Sequence, residues 1–170
     1  VRIVGIGDYS VPQSGYNPGQ YSVIADPETT ELNQAYLQYV SGRFTGRIGR
    51  QDIRYDNQRF IGAVPWRQDY QSFDALTLEY KNEAALTIDY HYLMQRERVF
   101  AQDADIDSKD HLLHAVYPTP LGTLTGYAYL LEEDIAINNK LDTYGLRLNG
   151  AKRLGPFDST YLLEYATQDY

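Results

Sequence analysis

Residues 85–93 read ALTIDYHYL, and the spacing of that stretch decides what kind of fold the chain can adopt. Leu86, Ile88, Tyr90 and Tyr92 fall on one parity, and Thr87, Asp89 and His91 on the other. Successive side chains of a strand point to opposite faces, so a period of two describes a strand with one apolar and one wetted side. The same alternation sets Leu76, Leu78 and Tyr80 against Thr77 and Glu79, and Ala35, Leu37 and Tyr39 against Gln34, Tyr36 and Gln38. It also sets Tyr144, Leu146 and Leu148 against Thr143, Gly145, Arg147 and Asn149, and Tyr161, Leu163 and Tyr165 against Leu162, Glu164 and Ala166. With further segments at 2–7, 44–51, 111–117 and 123–131, the pattern predicts about nine strands and no helix.

Tight turns are expected at 41–42, 81–83, 119–122 and 154–156, and long polar loops at 10–30, 51–72, 95–109 and 132–141. Short and long connections thus alternate, as in the up-and-down meander of an outer-membrane barrel with short periplasmic turns and long outer loops. A soluble barrel with an apolar interior shares the alternation. Two features favour the membrane form. One face carries Leu, Ile, Ala and Gly mid-strand with Tyr towards the ends, resembling a lipid band and aromatic girdle. The other carries Gln, Thr, Asp, Glu, Arg and His, which suit a water-filled lumen. The expected fold class is therefore all-β, an antiparallel up-and-down transmembrane β-barrel. It has about 8–9 strands in residues 1–170, as a single barrel domain or as a segment of a larger barrel.

Composition agrees with a boundary protein. There are 17 tyrosines against 5 phenylalanines and 1 tryptophan, and a phenol prefers a site where one end of the ring is apolar and the other wet. No run approaches the roughly 18 apolar residues of a membrane helix. No basic and apolar leader opens the chain, which reads as a mature or excised segment. A net charge of −8 and a pI near 4.8 argue against nucleic acid as a partner. Absence of cysteine removes disulfides, thiolate metal sites and cysteine nucleophiles.

Against this acidic background the arginines are segregated. Arg43, Arg47, Arg50, Arg54, Arg59 and Arg67 lie between 43 and 67, where the acids are Asp52 and Asp56. Parity places Thr45, Arg47, Gly49 and Gln51 on the lumen side and Phe44, Gly46 and Ile48 on the lipid side. Beyond Gly49 the alternation breaks into a loop dense in both signs, expected to fold into the barrel. Arg47, Arg50, Asp52, Arg54, Asp56 and Arg59 are the candidate pore and selectivity residues, because interleaved arginines and aspartates attract anions while each guanidinium stays partly paired. Structural salt bridges from Arg50 and Arg54 to Asp52, Asp56 or Asp74 are an equally good reading and compatible with the first. Gln34, Gln38, Glu79, Asp89, His91 and Arg147 are the other candidate lumen-facing residues.

The remaining constellations are weaker. Asp103, Asp105, Asp107 and Asp110 fall in one expected loop (DADIDSKD), spaced like the start of a calcium loop, but Ser108 and His114 stand where an EF-hand needs Gly and Glu. A solvated acidic loop fits better than a cation site at Asp103, Asp105 and Asp107. His111 and His114 fall on opposite faces of a strand and do not share a metal. Ser72 or Ser108 as a nucleophile with His91 has no supporting motif, so no catalytic residue and no cofactor is expected. Gly126 and Gly145 lie within strands, where neighbouring tyrosines could cover them.

The stretches ELNQAYLQY (31–39), GRQDIRYDNQRFIG (49–62), WRQDYQSFDALTLEY (66–80) and TPLGTLTGYAYLLE (119–132) resemble the alginate-export family of Gram-negative outer-membrane porins, in register over roughly 25–170. The resemblance implies a large monomeric barrel of about eighteen antiparallel strands with a charged pore, of which this chain offers half. The polar end Thr167, Gln168, Asp169, Tyr170 lacks an evident aromatic insertion signal, so a part of a larger barrel, or a cut-down version, is expected. In the family a basic pore passes an anionic polysaccharide, and the matching positions here are Arg50, Arg54 and Arg59. The function expected is a bacterial outer-membrane channel for passive diffusion of small, anionic or polyhydroxylated solutes. Its expected partners are the lipid bilayer, lipopolysaccharide, and a small solute or anionic saccharide. The alternative is a non-conducting small β-barrel with a structural or ligand-binding role.

Overall fold

A computed structural model of the chain describes residues 2–3, 6–9, 29–66, 69–100, 105–133, 139–154 and 157–170. Its strands are β1 (Arg2–Ile3), β2 (Ile6–Tyr9), β3 (Thr29–Leu32), β4 (Ala35–Ser41), β5 (Phe44–Gln51), β6 (Ser72–Lys81), β7 (Thr87–Glu97), β8 (Ile106–Thr119), β9 (Gly122–Glu133), β10 (Asn139–Leu154) and β11 (Phe157–Asp169). No helix occurs among the described residues. Among the described residues nine strands form one sheet in the order β1-β4-β5-β6-β7-β8-β9-β10-β11, an antiparallel meander with β1 and β11 at its edges and no pairing between those two. Every segment expected from the alternation contains a strand among its described residues. The 2–7 segment divides, however: β1 joins the main sheet, while β2 pairs with β3 in a separate ribbon from Ile6↔Leu32 to Tyr9↔Thr29.

The short connections have the expected turn chemistry. β4 and β5 meet at 42–43, where Gly42 takes φ 57, a left-handed conformation that costs glycine nothing. β8 and β9 meet at 120–121, braced by Thr119, whose hydroxyl donates to the Gly122 carbonyl at 2.7 Å and accepts from the Leu121 N–H at 3.2 Å. Between β6 and β7 the Asn82 side chain accepts the Leu86 N–H at 2.8 Å. The β10 to β11 turn at 155–156 and the loops at 10–28 and 134–138 lie outside the described residues. Strands β7 to β11 run 11 to 16 residues, at or beyond the roughly 9–11 that a tilted strand needs to cross a bilayer.

The chain divides into two compact units. The first comprises Val1–Gln38, Arg47–Ala75 and Leu93–Ser108, and the second Tyr39–Gly46, Leu76–Tyr92 and Lys109–Tyr170. In the first, Ile53, Tyr55, Ile61, Ala63, Phe73, Ala75 and Leu93 are buried. In the second the covered parity is mostly polar: Thr77, His91, Asp110, His114, Thr125, Thr143 and Arg147 are buried beside Leu112, Tyr127 and Tyr129. The opposite parity leaves Leu78, Leu113, Leu124, Tyr144, Leu146, Leu163 and Tyr165 exposed. That is the reverse of a water-soluble barrel, which hides its apolar side chains within.

Candidate functional site

The arginine-rich segment belongs to the first unit and starts on β5. Gly49, at φ 122, brings the strand so close to Ala35 that an added Cβ would strike its carbonyl oxygen. Thr45, Arg47 and Gln51 take the covered parity while Phe44 and Ile48 are exposed, as the alternation requires. Gln51 is fixed there by donating to the Ala75 carbonyl at 2.9 Å. Arg47 donates from Nε to Gln38 Oε1 at 2.6 Å, and its guanidinium lies 5.8 Å from the centre of the Tyr36 ring. Gln34 lies between β3 and β4, 3.4 Å from the Tyr70 hydroxyl.

Arg50 has a different environment. Its Nε and one terminal nitrogen make a bidentate pair with Asp74 at 3.0 and 2.9 Å, and that same terminal nitrogen meets Glu97 at 2.5 Å. The other terminal nitrogen reaches the Leu32 carbonyl at 3.4 Å. One side chain thus ties together β3, β6 and β7, in the fork geometry that only arginine supplies. Arg50 and Asp74 share the parity of the exposed Ile48 and Leu76, not that of Arg47.

Residues 52–66 and 69–71 form a loop with an inside and an outside. Ile53, Tyr55, Ile61 and Ala63 are buried, whereas Arg54, Asp56, Asn57, Gln58 and Arg59 are exposed. A hairpin-like reversal sets this pattern: the Tyr55 N–H donates to the Ile61 carbonyl at 3.2 Å and the Gln58 N–H to the Tyr55 carbonyl at 2.8 Å. Asp56 and Gln58 take φ 50 and 58 at the reversal, and Val64 takes φ 51 after it. Left-handed backbone is unfavourable for a β-branched residue, so Val64 stays there only because its surroundings fix it. Arg54 donates to Asp52 at 2.9 Å. That hydrogen bond pushes the Arg54 pKa up, keeping the guanidinium charged. Arg59 sits 5.3 Å from the centre of the Phe60 ring. Arg67 lies outside the described residues.

The second unit holds the other candidate lumen-facing residues in cross-strand groups. Thr77 Oγ1 and His91 Nδ1 are 2.7 Å apart. Asp89 and His114 approach to 4.0 Å, and Glu79 pairs with Lys81 at 3.1 Å. Arg147 lies 3.8 Å from Glu164, which also accepts a 3.0 Å hydrogen bond from the Tyr127 hydroxyl. Tyr127 stacks on Tyr129 at 4.9 Å, and its ring occupies the space over Gly145. The expected tyrosine cover of Gly145 is therefore present, but Gly126 is faced by Leu146 instead.

The acidic stretch differs from its reading as one loop. β8 begins at Ile106, so Asp107 and Asp110 are strand residues on opposite faces, Asp107 exposed and Asp110 fully buried, where it accepts the Glu132 N–H at 2.8 Å. Asp105 caps the Arg98 N–H at 2.8 Å. Asp103 lies outside the described residues, and among those described no three His, Asp or Glu side chains gather as a metal site would require. His111 is on the opposite face from His114, beside Tyr90 and Tyr92. Sequence reading missed Glu97 as a partner of Arg50, and Tyr127 and Tyr129 as part of the covered polar face. Parity alone would have placed the two tyrosines with Arg147, as it placed Glu164 opposite the apolar face of its strand.

An antiparallel meander with an exposed apolar face and a covered polar one is the wall of a membrane β-barrel. The chain belongs to the alginate-export family, whose family model matches residues 19–168. It is a family of outer-membrane β-barrel proteins with an export or porin-like role in a lipid bilayer. No curated protein and no solved structure matches the chain.

Proposed function

We propose that the chain forms wall and constriction of an outer-membrane channel through which small, anionic or polyhydroxylated solutes diffuse passively, with arginines setting the preference for anions. The observation that carries this reading is the sidedness of residues 53–63: four apolar side chains are buried while Arg54, Asp56 and Arg59 remain exposed. A loop anchored by its own small core can hold charges in a solute path without collapsing onto the wall. Arg47, on the covered face, extends the basic character, and Asp52 and Asp56 keep the guanidinium groups from binding an anion too tightly to release it. Arg50, whose donors face two carboxylates and a carbonyl, acts as a positioning residue. The exposed leucines and tyrosines face lipid, with lipopolysaccharide at the outer leaflet.

Liposome swelling tests the reading. Proteoliposomes should swell in small sugars and swell faster in an anionic uronate than in a neutral sugar of equal size. Equal rates for the two would remove the anion preference.

A second reading draws on the second unit, where Asp110, Leu112, Thr143 and Tyr129 are almost completely buried. A face so thoroughly covered suits a filled interior, and hence a barrel that does not conduct. Proteoliposomes that fail to swell, from protein folded by circular dichroism, would favour it.

A further inference from the structure

Glu97 is buried at the point where β7 gives way to the connection into β8. Its surroundings hold more acid than base. Arg50 meets it at 2.5 Å, and the same guanidinium makes the bidentate pair with Asp74. Asp105, directly before β8, supplies a third carboxyl group, joined to that of Glu97 by a side-chain hydrogen bond. All four side chains belong to the first unit. Arg50, Asp74 and Asp105 are the charged groups that act on Glu97, and the remaining contact of the guanidinium is the neutral carbonyl of Leu32.

Two features of this geometry require a proton. A carboxylate only accepts hydrogen bonds, so two carboxyl groups bond to each other only when one of them is protonated. Charge balance agrees: with every carboxyl group ionised, three negative charges would share one guanidinium, and burial penalises each charge left uncompensated. With one proton held between Glu97 and Asp105, Arg50 and Asp74 pair as ions. The single negative charge that remains is spread over two carboxyl groups, of which Glu97 accepts from Arg50 and Asp105 accepts the Arg98 N–H at 2.8 Å.

We infer that Glu97 and Asp105 share one proton at neutral pH, and that this proton fastens the start of β8 to the end of β7 as a clasp that opens when alkaline pH removes it. Loss of the proton leaves two carboxylates facing each other, and their repulsion parts the residues that the hydrogen bond had joined. Through Arg50 the clasp also reaches the end of β5, from which the arginine-rich loop departs. In the unfolded chain both carboxyl groups ionise near pH 4, at about their ordinary values. Above that range folding therefore takes up a proton, and stability falls as pH rises until the clasp has lost it. The clasp operates whether or not current flows.

Infrared spectroscopy of the protein folded in detergent reads the proton directly, because a protonated carboxyl group absorbs apart from a carboxylate. A protonated-carboxyl band is expected at pH 7 and should be lost by pH 10. Glu97→Gln and Asp105→Asn each put in place of a carboxyl group an amide that keeps the donor and the acceptor of the protonated form. Both should diminish the band while holding the clasp closed at every pH. The urea midpoint of the unaltered protein should accordingly fall relative to that of E97Q as the pH is raised from 5 to 9. D105N should show the same divergence, so either variant suffices where the other fails to fold. Absence of the band at pH 7, or a band that both variants leave intact, would overturn the inference. So would a difference in midpoint that is the same at pH 5 and at pH 9. None of these measurements reads swelling or current, so failure of the clasp is distinguishable from failure of the channel reading.

Discussion

Arg50 and Arg47 are three residues apart on one strand and have opposite circumstances. Arg47 bonds one glutamine, whereas Arg50 faces Asp74, Glu97 and the Leu32 carbonyl with about a fifth of its side chain exposed. Removing a charge from a partly buried cluster leaves its partners uncompensated, and the cost lies between that of a surface pair and that of a buried one. Arg50→Gln should therefore lower stability by roughly 2 kcal/mol, read as a shift of the urea midpoint in detergent. Arg50→Lys should recover less than half of that, because an ammonium cannot make the bidentate contact with Asp74. Arg47→Gln should change the midpoint by less than about 0.5 kcal/mol. Equal effects at the two positions would show that the clamp is not what holds these segments. Asp74 was legible in sequence as an acid within reach, but Glu97 was not. Only the strand order, which puts β6 between β5 and β7, brings a residue 47 positions away to the same guanidinium.

At the scale of the element, alternation carried most of the information. A period of two is a direct consequence of strand geometry, so ALTIDYHYL disclosed both β7 and its sidedness without any tertiary knowledge. It was least informative where strands run past their apolar centres. Asp107, Lys109 and His111 are exposed and polar on the parity that later carries Leu113 and Tyr117, so the start of β8 resembled a loop. Counting tyrosines as girdle residues likewise hid Tyr127 and Tyr129, which stack on the covered face. Two glycines show how tightly the strands are fitted. At Gly145, directly opposite Tyr127 in the register, a methyl group would displace the tyrosine ring and its bond to Glu164. Gly145→Ala should cost about 1–3 kcal/mol, as overpacking does. Gly49→Ala should cost more, because the methyl meets backbone at Ala35 and φ 122 is a glycine conformation. Unfolding midpoints in detergent give both values, and a smaller effect at Gly49 than at Gly145 would contradict this ranking.

Across the whole molecule, the exposed apolar parity separates a membrane wall from a soluble barrel, a distinction that alternation alone left open. Family membership then supplies the outer-membrane setting. The separate β2 to β3 ribbon was not legible, because the pairing of Ile6 with Leu32 spans a polar stretch with no strand signal of its own. The loop's internal core was legible in principle: Ile53 and Tyr55, then Ile61 and Ala63, are apolar pairs spaced two apart within a charged segment. What the charges on that loop do is the central functional claim, and ion selectivity tests it most directly. Single channels in a planar bilayer, under a tenfold potassium chloride gradient, should show a reversal potential displaced towards that of chloride. Arg47→Gln, Arg54→Gln and Arg59→Gln together should move it towards that of potassium, by less at 1 M salt where screening falls to about 3 Å. A folded triple variant with the reversal potential of the unaltered protein would contradict the claim, and the arginines would then serve only to hold the loop.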